Sequence, residues 1–404
     1  MAKTATQKTS SPRPKDRASI LEERRRLKMA RSAHAYVRGA TGKFYEWLQS
    51  DARTSLPEGP YVWICGDCHV GNLGPVADVR GDVSIQIRDL DQTVIGNPAH
   101  DLVRLALSLA VAARGSDLPG VITAQILEQM VEGYTAALSS PDWSPETDGP
   151  MPKPVARVMK QALQRRWRHL AKERIEDVRP SIPLGKKFWA LTAAERRELT
   201  ELFQQDEVRS LITSLECRDS KAKIELLDAA YWMKGCSSLG RLRYAAIVGV
   251  GGKHLCLIDI KEAASAAAPR APDAAMPRDN AERVVAGARA LAPYLGQRML
   301  PARLMDRSVV VRELLPQDLK LEMDQLTAEE ACHAANFLAG VVGRAHARQM
   351  DGEQRASWLK ELNGRRSKTL DAPSWLWSSV VELIAFHEKA YLEHCRRYAT
   401  RKAA

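Results

Sequence analysis

The chain has 404 residues, 45% hydrophobic and 27% charged, with 60 Lys and Arg against 49 Asp and Glu for a net charge of +11. This composition is that of a soluble globular protein, and the length predicts a large core and two or more lobes. The best apolar helix, Leu105 to Ala113, is too short to span a bilayer, the N-terminus has no apolar secretory core, and the seven cysteines form no framework, so a cytoplasmic protein without membrane contact is expected. The positive charge favours acidic partners, with nucleotide phosphate first and nucleic acid as the less favoured rival.

Met1 to about Asp16 is polar and Pro-rich and reads as a disordered tail. Helices are predicted over Ser19 to Lys28 and Ala33 to Gln49, the second carrying Arg38, which suits either an anion or solvent. Tyr61 to Ile64 reads as a strand, and Val83 to Ile87, after the turn Val79-Arg80-Gly81-Asp82, as a second. Between and after them lie Gly66-Asp67-Cys68-His69-Val70-Gly71-Asn72 and Arg88-Asp89-Leu90-Asp91. Asp67 and Asn72 thus fall on a loop beside a hairpin, with Asp89 at the end of its return strand. Carboxylate and amide oxygens gathered there suit a hard cation such as Mg²⁺ that also holds phosphates, and a further carboxylate can take a proton from an attacking hydroxyl. The plainer alternative is a loop with surface acids. Cys65 and Cys68 form a C-x-x-C with no second ligand pair nearby, which argues against zinc.

Gly96-Asn97-Pro98 leads into an apolar helix ending near Arg114, with Asp101 in its first turn, where a carboxylate satisfies free backbone N–H groups. Helical patterns follow over Val121 to Leu138 and, strongly basic, over Val155 to Glu176, a solvated face or an anion contact. Ala193 to Gln204 and Asp206 to Thr213 read as helices. Near Leu226 the character changes. Gly235, Ser237, Ser238 and Gly240 form a small-residue loop between strands, which lets backbone N–H groups approach phosphate, and the strand from Lys253 ends at Lys261. Asn280 to Leu291 is a helix carrying Glu282. Val309 to Pro316 is a strand, and Ala328 to Arg348 and Ser374 to Tyr398 are helices.

The Gly-Asp-x-His-x-x-Asn loop, the strand ending at Asp89 and the Gly-Asn-Pro-x-x-Asp-Leu sequel resemble the catalytic half of the aminoglycoside-phosphotransferase branch of the protein-kinase-like superfamily. The glycine/serine loop, Lys261 and Glu282 resemble a kinase N-terminal lobe, but in reversed order, as in a circular permutation. With the His-Ala-Tyr-Val-Arg-Gly, Ile-Lys-Glu-Ala and Arg-Ala-His-Ala-Arg segments, the ordered set is similar to the bacterial DUF2252 family of uncharacterised proteins. The resemblance implies an α+β, circularly permuted kinase-like two-lobe fold with a small antiparallel sheet lobe and a larger helical lobe: a tail over 1–17, a catalytic half over 18–225, a nucleotide-cradling small lobe over 226–316 and the remaining helices over 317–404. It implies an ATP- and Mg-dependent phosphotransferase with an unknown acceptor, and as alternatives a non-catalytic nucleotide-sensing or nucleic-acid-binding protein, or AMP transfer. Asp67 would be catalytic, Asn72 and Asp89 would hold Mg²⁺ with Asp91 as the competing ligand, and Lys261, held by Glu282, would reach the phosphates. Gly235, Ser237, Ser238 and Gly240 would cover the triphosphate, Glu313 and Leu314 would face the adenine, and Asp101 would tie its helix to the catalytic loop. Cys65, Ser237 and Leu90 depart from the residues usual in those enzymes.

Overall fold

The computed structural model describes residues 11–50, 56–140, 144, 149–165, 181–215, 218–235, 239–321, 325–364 and 371–398. Among them are thirteen α-helices and ten strands, numbered β1 to β10 below, an α+β architecture. The two-stranded pairs come first. β1 (Val62–Ile64), β2 (Leu73–Ala77), β3 (Val83–Ile87) and β4 (Val94–Gly96) form two antiparallel units, β1 with β4 and β2 with β3. The strand after the turn therefore pairs with Leu73–Ala77, which the sequence reading did not single out, and not with Tyr61 to Ile64. The Asp78 carboxylate closes that turn by accepting from the N–H groups of Arg80 and Asp82.

β5 (Phe188–Trp189), β6 (Ile224–Trp232), β7 (Arg243–Val250), β8 (His254–Glu262), β9 (Met299–Leu304) and β10 (Arg307–Leu314) form one sheet in the order β5-β6-β7-β8-β10-β9. As expected, the strand bearing Lys261 lies between Arg243–Val250 and Arg307–Leu314. Alternation divides its residues between two faces. Tyr244, Ala246, Val248, Cys256, Ile258 and Ile260 pack in one core with Leu199 and Val208 of the helices Ala193–Leu202 and Asp206–Ile212 and with Phe203 between them. The opposite face carries Ala245, Ile247 and Leu257 and then, toward one end, the charged Arg243, Asp259 and Lys261.

The helical core is built around close approach of Gly120–Ser139 and Ala328–Ala347. A Cβ on Gly133 would stand 2.0 Å from the Asn336 carbonyl oxygen, and one on Gly343 would stand 2.8 Å from that of Tyr134. Neither backbone can yield, so Gly133→Ala should destabilise the protein by about 1–3 kcal/mol or more, read as a lower urea midpoint with an unchanged slope. An unchanged midpoint would mean the helices are not in contact there.

The first helix begins at Pro14, inside the expected tail, because proline suits a helix's first turn. The predicted helix from Ala33 to Gln49 breaks at Ala40, which has φ −110° and ψ 42°. Of the basic stretch, Lys153–Gln164 is helical and buries Val155, Val158, Met159 and Ala162; positions 166–180 lie outside the described residues. No helix among the described residues is long and apolar enough to cross a membrane.

Candidate active site

Gly66 and Asp67 sit at the turn after β1. Gly66 has φ +74°, and a Cβ there would lie 2.2 Å from the Gln92 carbonyl oxygen, so glycine is obligatory. Asp101, at the start of the helix Ala99–Gly115, reaches up to this turn. Its carboxylate accepts from Cys65 N–H at 2.7 Å and Gly66 N–H at 2.9 Å, and meets His346 Nε2 at 3.2 Å. His346 Nδ1 continues to the Tyr134 hydroxyl at 2.8 Å, which also accepts from Trp358 Nε1. This buried chain ties Asp101's helix to the loop, as the resemblance implied.

Asp67 is buried and closely held. Arg104 Nε donates to Oδ1 at 2.9 Å, and the Thr41 hydroxyl donates to Oδ2 at 3.0 Å. Burial raises the Asp67 pKa, opposed mainly by Arg104. Asn72 closes the loop through its amide: Nδ2 donates to the carbonyl oxygens of Asp67 and Asp89, both at 3.0 Å. Two acceptors fix the amide's orientation and leave Oδ1 as the atom for a cation. His69 lies beside them, with its backbone carbonyl accepting from Asn72 N–H at 2.7 Å. Burial, reinforced by the cationic Arg104 and Arg38, keeps its imidazole neutral.

Lys261, from the sheet, meets this loop. Its Nζ lies 2.5 Å from Asp91 Oδ2 and 3.1 Å from Asp89 Oδ1. The two acids share one ammonium, so they titrate as a pair. Burial raises both, but Lys261, with Arg243 and Arg312, holds Asp89 well below the usual carboxylate range, while burial and the Asp89 charge raise Asp91. Asp89 is therefore the firmly ionised member. Two residues before Lys261 on the same face, Asp259 is fully buried and paired with Arg243 at 2.6 Å and Arg312 at 3.4 Å.

These groups line one cleft of about 820 Å³. Asp67, Asn72, Asp89, Asp91, Gly235 and Lys261 all border it. Ser237 and Ser238 lie outside the described residues, and Gly240, with φ +100°, occupies a turn off the cleft. Three residues take other positions. Glu282 is exposed in the first turn of the helix Asn280–Leu291 and does not hold Lys261, whose carboxylate partners are Asp89 and Asp91. Its neighbour Arg283, a helical step of about 100° away, points inward and donates to the carbonyl oxygens of Asp91 and Ala264 at 3.1 and 2.9 Å. Glu313 turns its carboxylate to Arg218, at 2.7 and 2.6 Å, and its carbonyl accepts from Arg298 at 2.8 Å. Leu314 packs with Trp232 and Leu257 in the apolar part of the sheet. Neither borders the cleft.

The sequence reading missed Arg104, Asp259 and Arg312. Arg104 was detectable as a lone charge within an apolar helical run, and Asp259 as an acid in the middle of an alternating strand.

Among the described residues, no three His, Cys, Asp or Glu side chains converge as a cage for a metal ion. Asp89, Asp91 and the Asn72 amide instead offer hard oxygen donors of the kind that a cation takes beside phosphate and water. Their chemistry fits Mg²⁺ in that role.

Fold and site together define an α+β protein whose carboxylate-bearing loop and sheet lysine share a strongly cationic cleft. The chain matches, over residues 17–397, the family described as an uncharacterized protein conserved in bacteria (DUF2252). It belongs to that family. No curated protein and no solved structure matches it.

Proposed function

We propose that the cleft binds a magnesium-complexed nucleoside triphosphate, ATP in the first instance, and transfers a phosphoryl group to an acceptor hydroxyl. The observation that carries this reading is the meeting of Lys261 with Asp89 and Asp91. Lys261 stands 172 residues from Asp89 in the chain, yet it meets Asp89 and Asp91 beside Asn72 and Asp67. Phosphoryl transfer asks for charge neutralisation and in-line positioning more than for covalent help. Lys261 meets phosphate oxygens, and Asn72 Oδ1 and Asp89 hold the cation, which neutralises phosphate charge when bound. Asp67 orients the acceptor hydroxyl and takes its proton as the acceptor oxygen bonds to the γ-phosphorus and the β–γ bridge breaks. A carboxylate has about four acceptor positions, so those engaged by Arg104 and Thr41 leave room for that contact. The ionic group Arg243–Asp259–Arg312 covers the sheet beside Lys261, so the phosphates supply more of the affinity than the base.

A circularly permuted kinase-like arrangement accounts for the same geometry. Gln349, just past the helix Ala328–Ala347, clasps β1 by accepting from Trp63 N–H at 2.8 Å and donating to Trp63 O at 3.0 Å. An unpermuted chain would run from that helix into the catalytic loop at this point.

Binding is tested by thermal denaturation. A ligand at 100 times its dissociation constant adds about 2.7 kcal/mol, so millimolar ATP with Mg²⁺ should raise the melting temperature, and less so in Asp89→Ala. No shift in the wild-type protein rejects the reading.

A further inference from the structure

Charge is unevenly matched across the cleft. Twelve Lys and Arg side chains and four aspartates line it. Each aspartate is already paired: Asp67 with Arg104, Asp259 with Arg243, and Asp89 and Asp91 with Lys261. A magnesium-complexed nucleoside triphosphate brings only about two net negative charges. That leaves a cationic surplus.

Arg38 lies flat on the catalytic loop, its guanidinium carbon 3.1 Å from where a Cβ on Gly71 would stand. Lys320 approaches from the segment after β10. That segment is docked tightly: a Cβ on Gly74 would lie 2.6 Å from the Leu319 carbonyl oxygen, Arg88 donates to Asp318 O at 3.0 Å, and Arg298 fixes the Asp318 carboxylate at 2.9 Å. Burial, with Arg38 and Arg88 close by, pushes Lys320 down to about 8. Among the described residues neither Arg38 nor Lys320 has a carboxylate partner. Three like charges held together oppose folding unless an anion joins them. His69, also lining the cleft and 5% exposed, has a buried Nδ1 with no hydrogen-bond partner among the described residues.

We propose that Arg38, Arg88 and Lys320 form a second anion subsite, and that the acceptor is a small molecule already bearing a phosphate-type group. The role as acceptor site rests on the phosphotransferase reading. Arg38 stands against Gly71 and Arg88 against Gly74, on either side of Asn72, whereas Lys261 meets Asp89 and Asp91 from the sheet, so donor and acceptor phosphates would be held by different groups of the cleft, as in-line transfer requires. The glycines of Gly71-Asn72-Leu73-Gly74 then have a shared purpose: one admits Arg38 and the other admits the segment carrying Lys320.

The test is calorimetric titration of inorganic phosphate into the full chain saturated with Mg²⁺ and a non-hydrolysable ATP analogue. Saturable phosphate binding should persist under those conditions and weaken tenfold or more in Arg38→Ala and in Lys320→Ala, with analogue affinity unchanged within twofold. Lys320 reaches solvent with part of its side chain, so its variant folds even if Arg38→Ala does not. Displacement of phosphate by the analogue would assign these cations to the triphosphate and overturn the proposal, as would wild-type phosphate affinity in both variants. If the analogue itself fails to bind while phosphate still depends on Arg38 and Lys320, the phosphotransferase reading falls and the anion subsite stands.

Discussion

Asp67→Asn should lower turnover by about 10²- to 10⁴-fold while nucleotide affinity changes little. The substitution keeps size and shape but removes the group that accepts the hydroxyl proton. The amide oxygen can still accept from Arg104 while the amide N–H donates to the Thr41 hydroxyl, so the loop retains most of its geometry. The nucleotide contacts assigned here belong to Lys261, Asp89 and Asn72, which the change leaves alone. Steady-state rates beside equilibrium ATP binding separate the two quantities. Unchanged turnover removes Asp67 from the chemistry, whereas parallel loss of binding and turnover shows that it holds the fold or the nucleotide.

Arg104→Met should destabilise the protein by about 3–5 kcal/mol. Arg104 is fully buried, and its guanidinium joins two elements: it pairs with Asp67 and donates to Val37 O at 2.6 Å on the helix that also carries Arg38. Without it, the Asp67 carboxylate stays buried with only Thr41 as a donor. An uncompensated buried charge is far costlier than an apolar pair of the same size. The double variant Arg104→Met with Asp67→Asn should therefore recover much of the loss, because the orphaned charge has gone. Urea unfolding of the three variants measures this. A single-variant loss under about 1 kcal/mol would show that water reaches Asp67 and that the pair is not closed.

What was legible in the sequence is what local chemistry dictates. Asp101 was readable because a carboxylate in a first helical turn has a defined set of N–H groups to meet, and the same position lets it reach Cys65 and Gly66. Lys261 and Asp89 were readable because strand ends present their last side chains at a sheet's edge. Glu282 was misplaced because a helix turns about 100° per residue, so residue type alone did not say whether Glu282 or Arg283 faced inward. Glu313 was misplaced for a different reason. A strand pattern shows which face a side chain takes, but not that Arg218 and Arg298, from elsewhere in the chain, claim its carboxylate and its carbonyl. Lys320 was invisible. Its segment has no periodicity, and its place follows from backbone packing on Gly74.

The proposed function stands or falls on whether a phosphoryl group leaves a nucleotide in this cleft. ATP labelled either at the γ or at the α phosphorus, incubated with Mg²⁺, the protein and a bacterial metabolite extract, tests it most directly. The γ label should appear on an anionic acceptor, the α label should stay in the nucleotide, and both should stay put with Asp89→Ala. Transfer of α label instead would mean nucleotidyl transfer, and transfer of neither label above the protein-free control would contradict the account.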